Sequence, residues 1–357
     1  MAKKQLLYAA YDTGPSNYGL DIVAYAQRKK NWGVAYVGNN PNVTFSGAVV
    51  GLEFDYAIIG GPSSFENGLD REVLDLCCRR GKPVYVLGDS PRSILRPGVQ
   101  SWVDGATAIV ASPADIEPAK AFGYKDAVWL GGYPSHWGNP NTTPVSDIFQ
   151  HGPYAAPAGC AKIFVCGLKH AKITDDMLGV VLSGMDKRGM EYRVYFQSHP
   201  SEIEATKDHA RRALLLEHAN VRELKTRENV ASVMRAADVT VCTGGATAII
   251  EGALLQLPVV YYLDTLVRDY MKMQTNEEVW GPVDAGSCVV ASWTDMAMQL
   301  DRLLDTSSVG SSWRGLLCAD QAAAFPPQAP GLNICQEVLD YIENPSCYIP
   351  FSQRQKK

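Results

Sequence analysis

Short apolar segments alternate with longer segments of helical spacing along almost the whole chain, and this alternation restricts the possible fold more than any other feature. Segments such as 6–11, 162–166 and 192–196 are rich in Val, Leu, Ile, Phe and Tyr, and each precedes a stretch with the character of a helix. Strands of about four to six residues that alternate with helices form βαβ units around a parallel sheet. The sequence therefore predicts an α/β protein.

The alternation is interrupted once, near the middle of the chain. Residues 132–145 and 151–159 are dense in Gly, Pro, Asn and Thr, and such composition disfavours regular structure. A chain of 357 residues has the length of two domains. We therefore expect two α/β halves of similar size, with these boundaries: an N-terminal Rossmann-like domain over 1–135, a linker over 136–160, a C-terminal Rossmann-like domain over 161–325, and a C-terminal helix and tail over 326–357.

Composition excludes several classes of protein. The net charge of −5 argues against a dedicated nucleic-acid binder, which usually carries a basic surplus. No apolar run approaches the ~20 residues that a bilayer span needs, and the N-terminus lacks the pattern of a signal peptide. The nine cysteines contain no CxxC pair, which is typical of reduced thiols. These features predict a cytoplasmic protein without a membrane span.

The segment 239–262 carries the clearest chemistry. An apolar strand is followed by a turn of small residues and then by a predicted helix, in which Glu251 lies about two turns from the start. Glycines let a backbone approach a diphosphate closely, and helix N-termini favour anions. A carboxylate can bind the two hydroxyls of a ribose. The predicted donor-binding residues of this segment are Thr243, Gly244, Gly245, Thr247 and Glu251.

Other candidates also follow predicted strands. Gly167 and Lys169 come after the strand 162–166, before a predicted helix whose N-cap is Thr174. His199 precedes a proline that should open a helix over 200–217, whose mixed charges are expected to face solvent.

The string TGGATAIIEGALLQLPVVYY at 243–262 is similar to the donor-nucleotide motif of GT-B-fold glycosyltransferases. Lipid A disaccharide synthases, UDP-GlcNAc 2-epimerases and CDP-glycerol glycerophosphotransferases share this pattern. Residues 111–135 also resemble the end of a GT-B N-terminal domain. The resemblance implies two Rossmann-like doubly wound domains that face each other across a cleft. It also implies that His199, which sits in a His-Pro pair, contacts donor phosphate.

The same resemblance places a glycine-containing acceptor loop and a catalytic residue after the first strand. Asp12 is therefore the first choice of general base, because inverting members often have an Asp or His there. Asp89, which follows another strand, is the second choice, and His136 is the third. The acceptor-side loop over 12–18 contributes Gly14, Ser16 and Asn17.

We therefore expect a glycosyltransferase that moves a sugar from a nucleotide-activated donor, a UDP-sugar, to a hydroxyl of a glycan, a small molecule or a modified DNA base. The positions eight residues before and after Glu251, Thr243 and Val259, are not acidic, so the paired Glu of many retaining members is absent and inversion is favoured. We expect no metal, because helix dipoles and basic side chains can stabilise the leaving diphosphate. A nucleotide-sugar 2-epimerase, a CDP-polyol phosphotransferase and a non-catalytic binding protein remain alternatives.

Overall fold

A computed structural model describes most of the chain. The described residues are 3–10, 13–38, 51–61, 68–88, 93–95, 103–132, 143–200, 202–225, 228–275 and 277–354, without the side chains of 13–18, 68, 274, 275 and 352. The chain divides into two units. Unit 1 consists of Met1–Trp137 and Pro326–Lys357, and unit 2 of Gly138–Phe325, so the C-terminal residues belong with the N-terminal half.

Unit 1 is built on a six-stranded sheet in the order β2-β1-β3-β4-β5-β6, and every neighbouring pair is parallel. Its strands are β1 Gln5–Ala10, β2 Gly33–Gly38, β3 Tyr56–Gly60, β4 Val84–Leu87, β5 Thr107–Ile109 and β6 Asp126–Val128. Its helices are α1 Thr13–Lys29, α2 Gly68–Arg80, α3 Ile116–Phe122, α12 Ile334–Glu343 and α13 Phe351–Arg354.

Both faces of this sheet are buried, because helices cover each side. Leu7 of β1 packs in one apolar cluster with residues of α2, whereas its neighbour Tyr8 packs in another with residues of α1 and α12. Alternate residues of a strand point to opposite faces, so β1 contributes to two cores. Burying a large apolar side chain contributes roughly 1.5–3 kcal/mol, and these central strands therefore hold the unit together.

Unit 2 is also built on a six-stranded sheet, whose strands have the order β12-β11-β10-β7-β8-β9, and every neighbouring pair is parallel. Its strands are β7 Ala161–Cys166, β8 Tyr192–Gln197, β9 Val221–Glu223, β10 Val239–Thr243, β11 Val259–Tyr262 and β12 Val289–Ala291. Its helices are α4 Ala171–Asp186, α5 His209–Glu217, α6 Val230–Ala236, α7 Ala248–Leu254, α8 Thr265–Thr275, α9 Gly281–Asp284, α10 Met296–Leu304 and α11 Ser308–Ala324. The two sheets confirm the predicted pair of Rossmann-like units.

The loop predicted over 12–18 is wrong from Thr13 onwards, where α1 already begins. The predicted acceptor-loop residues Gly14, Ser16 and Asn17 are therefore in a helix. The Gly and Pro residues here indicated a loop, but proline is favoured in the first turn of a helix. Gly19 has a packing role inside α1, because a Cβ atom there would overlap the ring of Tyr8.

The start of α4 also differs from the prediction. The helix begins at Ala171, with His170 at the N-cap position, so Thr174 is not the cap. The Thr174 hydroxyl instead accepts a hydrogen bond from the Leu168 N–H at 2.9 Å. This bond ties the turn after β7 to the first turn of α4. Among the described residues, no helix combines the length and apolar character that a bilayer crossing requires.

Candidate functional site

In the sheet of unit 2, the strand order reverses between β7 and β10. Chain order runs outward from β7 through β8 to β9 on one side, and from β10 through β11 to β12 on the other. In open parallel sheets a crevice forms at such a point, outside the carboxyl ends of the strands. The turns that follow β7, β8 and β10 carry the predicted donor-binding residues.

Gly167 brings the turns after β7 and β8 together. Its N–H donates a hydrogen bond to the Gln197 carbonyl at 2.9 Å. A Cβ atom on Gly167 would lie 3.0 Å from both that carbonyl oxygen and the backbone nitrogen of His199. A larger residue would push the two turns apart, so this glycine keeps the backbone of residues 167 and 199 in contact.

Among the described residues between His199 and His209, no α-helix occurs, although one was predicted from residue 200. After a short 3-10 turn over Glu204–Thr206, helix α5 begins only at His209, where the Asp208 side chain accepts from the Arg211 N–H at 3.0 Å. The preceding residues are held by long-range bonds instead. The Ile203 N–H donates to the Lys169 carbonyl at 2.7 Å.

A buried ion network holds the same segment. Arg212 of α5 donates to Asp175 of α4, and its Nη2 donates to Glu202 Oε1 at 2.9 Å. The guanidinium also lies 5.0 Å from the ring centroid of Phe196. The Glu202 N–H in turn donates to the His199 carbonyl at 3.1 Å. The prediction that these charges all face solvent is therefore wrong for Arg212, which the network buries. The same network fixes the backbone that follows β8.

The turn after β10 packs on the turn after β7. Gly244 has φ +60°, and a Cβ atom there would lie 2.8 Å from Cδ1 of Leu168. The Thr243 hydroxyl is buried and donates to the Tyr262 carbonyl at 2.6 Å, which ties this turn to β11. Gly244 is required here both for its left-handed backbone and for the close approach.

Gly245 and Thr247 are exposed at the start of α7. Within the described part of the chain, the N–H groups of residues 245–247 donate to no protein acceptor. Helix α7 begins at Ala248, so Glu251 lies in its first turn rather than about two turns in. The turn therefore presents free backbone donors directly before the helical turn that contains Glu251.

The Glu251 carboxyl group is largely buried. Its Oε2 atom has no hydrogen-bond partner among the described residues, and burial raises its pKa to about 7. Burial, and secondly the nearby Glu251 carboxylate, raise the pKa of the Cys166 thiol to about 12. Cys166 ends β7, and Glu251 is in the helix that follows β10, the strand that pairs with β7, so both residues lie where the strand order reverses. A ligand with hydroxyl donors would satisfy its free oxygen.

Other side chains complete this edge of the sheet. The Nδ1 atom of His170 is buried and has no partner in the described regions, and its ring meets that of Tyr270 edge-on at 5.6 Å. Gln197 ends β8 and is also buried. Sequence reasoning missed Gln197 and Tyr270. A polar residue that ends an apolar strand was the available signal for Gln197, whereas nothing local indicated Tyr270, which reaches the site from α8.

Solved structures resemble this architecture over nearly the whole chain. One is a UDP-N-acetylglucosamine 2-epimerase from Listeria monocytogenes, described as putative, with 12% sequence identity, 98% of each chain covered and a TM-score of 0.62. Another is HepE of Anabaena in complex with UDP-glucose, with 13% identity, 96% of this chain and 100% of that chain covered, and a TM-score of 0.59. A third is the glycosyltransferase SnogD from Streptomyces nogalater, with 13% identity, 95% of this chain and 99% of that chain covered, and a TM-score of 0.53. The chain has the GT-B fold. The predicted resemblance is thus confirmed at the level of the fold.

The sequence itself gives no closer relationship. No protein-family model matches the chain, and no curated protein matches it significantly. Identities of 12–13% to the three structures show a shared GT-B fold, which by itself does not determine the reaction.

The three predicted catalytic residues, Asp12, Asp89 and His136, lie outside the described residues. In chain order, residue 12 falls between the end of β1 and the start of α1, and residue 89 comes shortly after β4. No cluster of three or more His, Cys, Asp or Glu side chains suited to a metal ion occurs in the parts of the chain that the structure describes.

Proposed function

We propose that this protein is a glycosyltransferase that moves a sugar from a UDP-sugar to a hydroxyl acceptor. The observation that carries the proposal is the Oε2 atom of Glu251, which is buried and has no partner among the described residues, in the helical turn that follows free backbone N–H groups at the β7–β10 edge of unit 2. The GT-B fold supports it, since structures of that fold include a glycosyltransferase and a complex with UDP-glucose.

The arrangement suits a nucleoside diphosphate. The exposed N–H groups at 245–247 and the exposed Lys169 would bind phosphate oxygens, because both are donors with positive character. Gly167 and Gly244 allow the backbone to come close to the ligand, and His199 follows β8 at the same edge. Glu251 would accept hydrogen bonds from ribose hydroxyls.

The proposed reaction is a displacement at the anomeric carbon of the donor sugar. The acceptor oxygen attacks the anomeric carbon, the bond from that carbon to the diphosphate breaks, and the nucleoside diphosphate leaves. A general base takes the acceptor proton, and we assign this role first to Asp12, then to Asp89 and His136. A single displacement inverts the anomeric centre, in agreement with the absence of a second acidic residue spaced eight positions from Glu251.

The first experiment is thermal stabilisation by UDP, GDP, CDP and ADP and their sugar conjugates. A ligand at ~100 times its Kd stabilises the native state by about 2.7 kcal/mol. We expect UDP to raise the melting temperature clearly. Glu251→Ala should weaken the affinity for UDP by a few-fold to a hundred-fold. Glu191→Ala, which removes an exposed glutamate just before β8, is the control. No shift with any nucleotide would reject the proposal and favour a non-catalytic protein.

A nucleotide-sugar 2-epimerase is the second candidate, because the Listeria structure has a TM-score of 0.62 over 98% of the chain. Product analysis without any acceptor separates the two reactions. An epimerase converts the nucleotide sugar alone, whereas a transferase releases nucleoside diphosphate only when an acceptor is supplied. A preference for a CDP-linked donor with a polyol phosphate product would instead identify a CDP-polyol phosphotransferase.

A further inference from the structure

We propose that Gln197 is a specificity-determining residue of the donor site, whose Oε1 atom accepts a hydrogen bond from a ribose hydroxyl beside Glu251. The inference rests on the proposed function, because it assigns part of the same nucleotide site. It predicts that the protein distinguishes ribonucleotides from deoxyribonucleotides through two neighbouring acceptors.

The Gln197 side chain is held in one orientation. It is only 7% exposed, and its Nε2 atom donates to the Glu228 carbonyl at 3.4 Å. Its Oε1 atom is buried and has no hydrogen-bond partner among the described residues. Buried side-chain oxygens usually have a partner, so this unused acceptor at the carboxyl end of a strand points to a ligand.

Strand pairing places Gln197 and Glu251 at the same edge of the sheet. Gln197 ends β8 and pairs with Cys166, the last residue of β7, so these two side chains lie on the same face of the sheet. On its other side β7 pairs with β10, the strand that precedes α7 and Glu251. Gln197 and Glu251 therefore follow the two strands that flank β7, and the Glu251 carboxylate also raises the pKa of the Cys166 thiol.

The two groups have the same hydrogen-bonding need. An amide oxygen accepts and does not donate, and the Glu251 carboxylate does the same when it is ionised, so the matching ligand group then offers two O–H donors on adjacent atoms. The 2′ and 3′ hydroxyls of a ribose form such a pair. An analogue that lacks one of these hydroxyls leaves a buried acceptor unpaired, so the site should bind that analogue less tightly.

The test compares UDP with 2′-deoxy-UDP and 3′-deoxy-UDP by calorimetry on wild type and Gln197→Met. We expect wild type to bind UDP at least about fivefold more tightly than one of the deoxy analogues. Gln197→Met should weaken the affinity for UDP by about five- to tenfold and leave the affinity for that analogue unchanged, so that the protein no longer discriminates between the two. Gln321→Met is the matched control.

Gln321 is also a buried glutamine, and its Oε1 has no partner in the described part of the chain. Its Nε2 atom, however, donates to the carbonyls of Leu257 and Ser287, which lie before β11 and β12 at the other end of the sheet. Its variant should leave both affinities unchanged. Equal weakening of UDP and analogue by Gln197→Met, or unchanged UDP affinity, would overturn the inference.

If Gln197→Met does not fold, wild type alone decides the inference, because equal affinity for UDP and both analogues contradicts it. If UDP does not bind, the same comparison is made with ADP, GDP and CDP and their deoxy forms. Binding of none of the four diphosphates rejects the proposed function itself, which distinguishes that failure from a failure of the Gln197 assignment.

Discussion

Gly244 and Leu168 approach so closely that a Cβ atom on the glycine would lie 2.8 Å from the leucine Cδ1. Gly244 follows β10 and Leu168 follows β7, the two strands between which the strand order in unit 2 reverses. Their contact therefore sets the spacing of the two turns that carry most of the proposed phosphate-binding groups. A change at either residue should affect ligand binding as well as stability.

Gly244→Ala should be destabilising for two reasons. A left-handed backbone costs an L-residue roughly 1–2 kcal/mol, and overpacking against Leu168 adds about 1 kcal/mol or more. Gly189→Ala isolates the first cost, because Gly189 has φ +67° but no atom near its Cβ position. Urea denaturation of both variants measures the difference. Equal losses of stability would show that the contact with Leu168 carries no energetic weight.

Stability should depend on pH through Glu251. Burial raises its folded pKa from 4.5 to about 7, so the folded state binds a proton more tightly than the unfolded state. Its contribution is therefore unfavourable at high pH, and stability should fall as pH rises from about 4.5 to 7, by up to about 3 kcal/mol. Glu251→Gln should lack this slope and should be more stable than wild type at pH 8. Denaturation of both proteins at pH 5 and 8 tests the expectation, and parallel pH profiles would contradict it.

Two adjacent arginines should behave differently on truncation. Arg212→Ala removes the centre of the buried network with Asp175 and Glu202 and should cost roughly 3–5 kcal/mol, because two carboxylates lose their partner. Arg211 pairs with Asp176 and is 43% exposed, so Arg211→Ala should cost less than about 1 kcal/mol. Urea denaturation compares them. Similar losses would mean that the buried network contributes no more than a surface ion pair.

Asp12→Asn should abolish transfer while donor affinity stays near wild type, because the base acts on the acceptor and not on the nucleotide. Sugar transfer and UDP binding are measured on the same preparation. Near-normal turnover would exclude Asp12 as the base, and Asp89→Asn and His136→Ala would then be assayed in the same way.

Prolonged treatment with a chelator should change turnover by less than about twofold, since we propose that backbone N–H groups and Lys169 stabilise the leaving diphosphate. The assay is run with and without added magnesium or manganese. Complete inactivation that a divalent cation reverses would show that the enzyme depends on a metal.

Local pattern was sufficient to predict the strands and their parallel order. Apolar runs bounded by turn residues correspond to β7, β8, β10 and β11, and the small-residue turn at 243–245 lies between a strand and a helix as expected. Such features depend on residues near each other in the chain, which is why they can be predicted from sequence. The helix predicted over 200–217 is confirmed only from His209 to Glu217, and its first half is wrong for the opposite reason. Its charges suited a solvated helix, but Glu202 and Arg212 are buried with Asp175 from another helix.

What the sequence by itself determined is the α/β class, the two units and the segments that end at the carboxyl edge of a sheet. Those properties follow from hydrophobic periodicity and turn chemistry, which act over a few residues. Only the tertiary structure decided that Oε2 of Glu251 is buried without a partner among the described residues, that Gln197 lies on the same face beside Cys166, and that Gly244 must fit against Leu168. Burial and proximity are set by how distant strands pair and pack, and no local pattern encodes them.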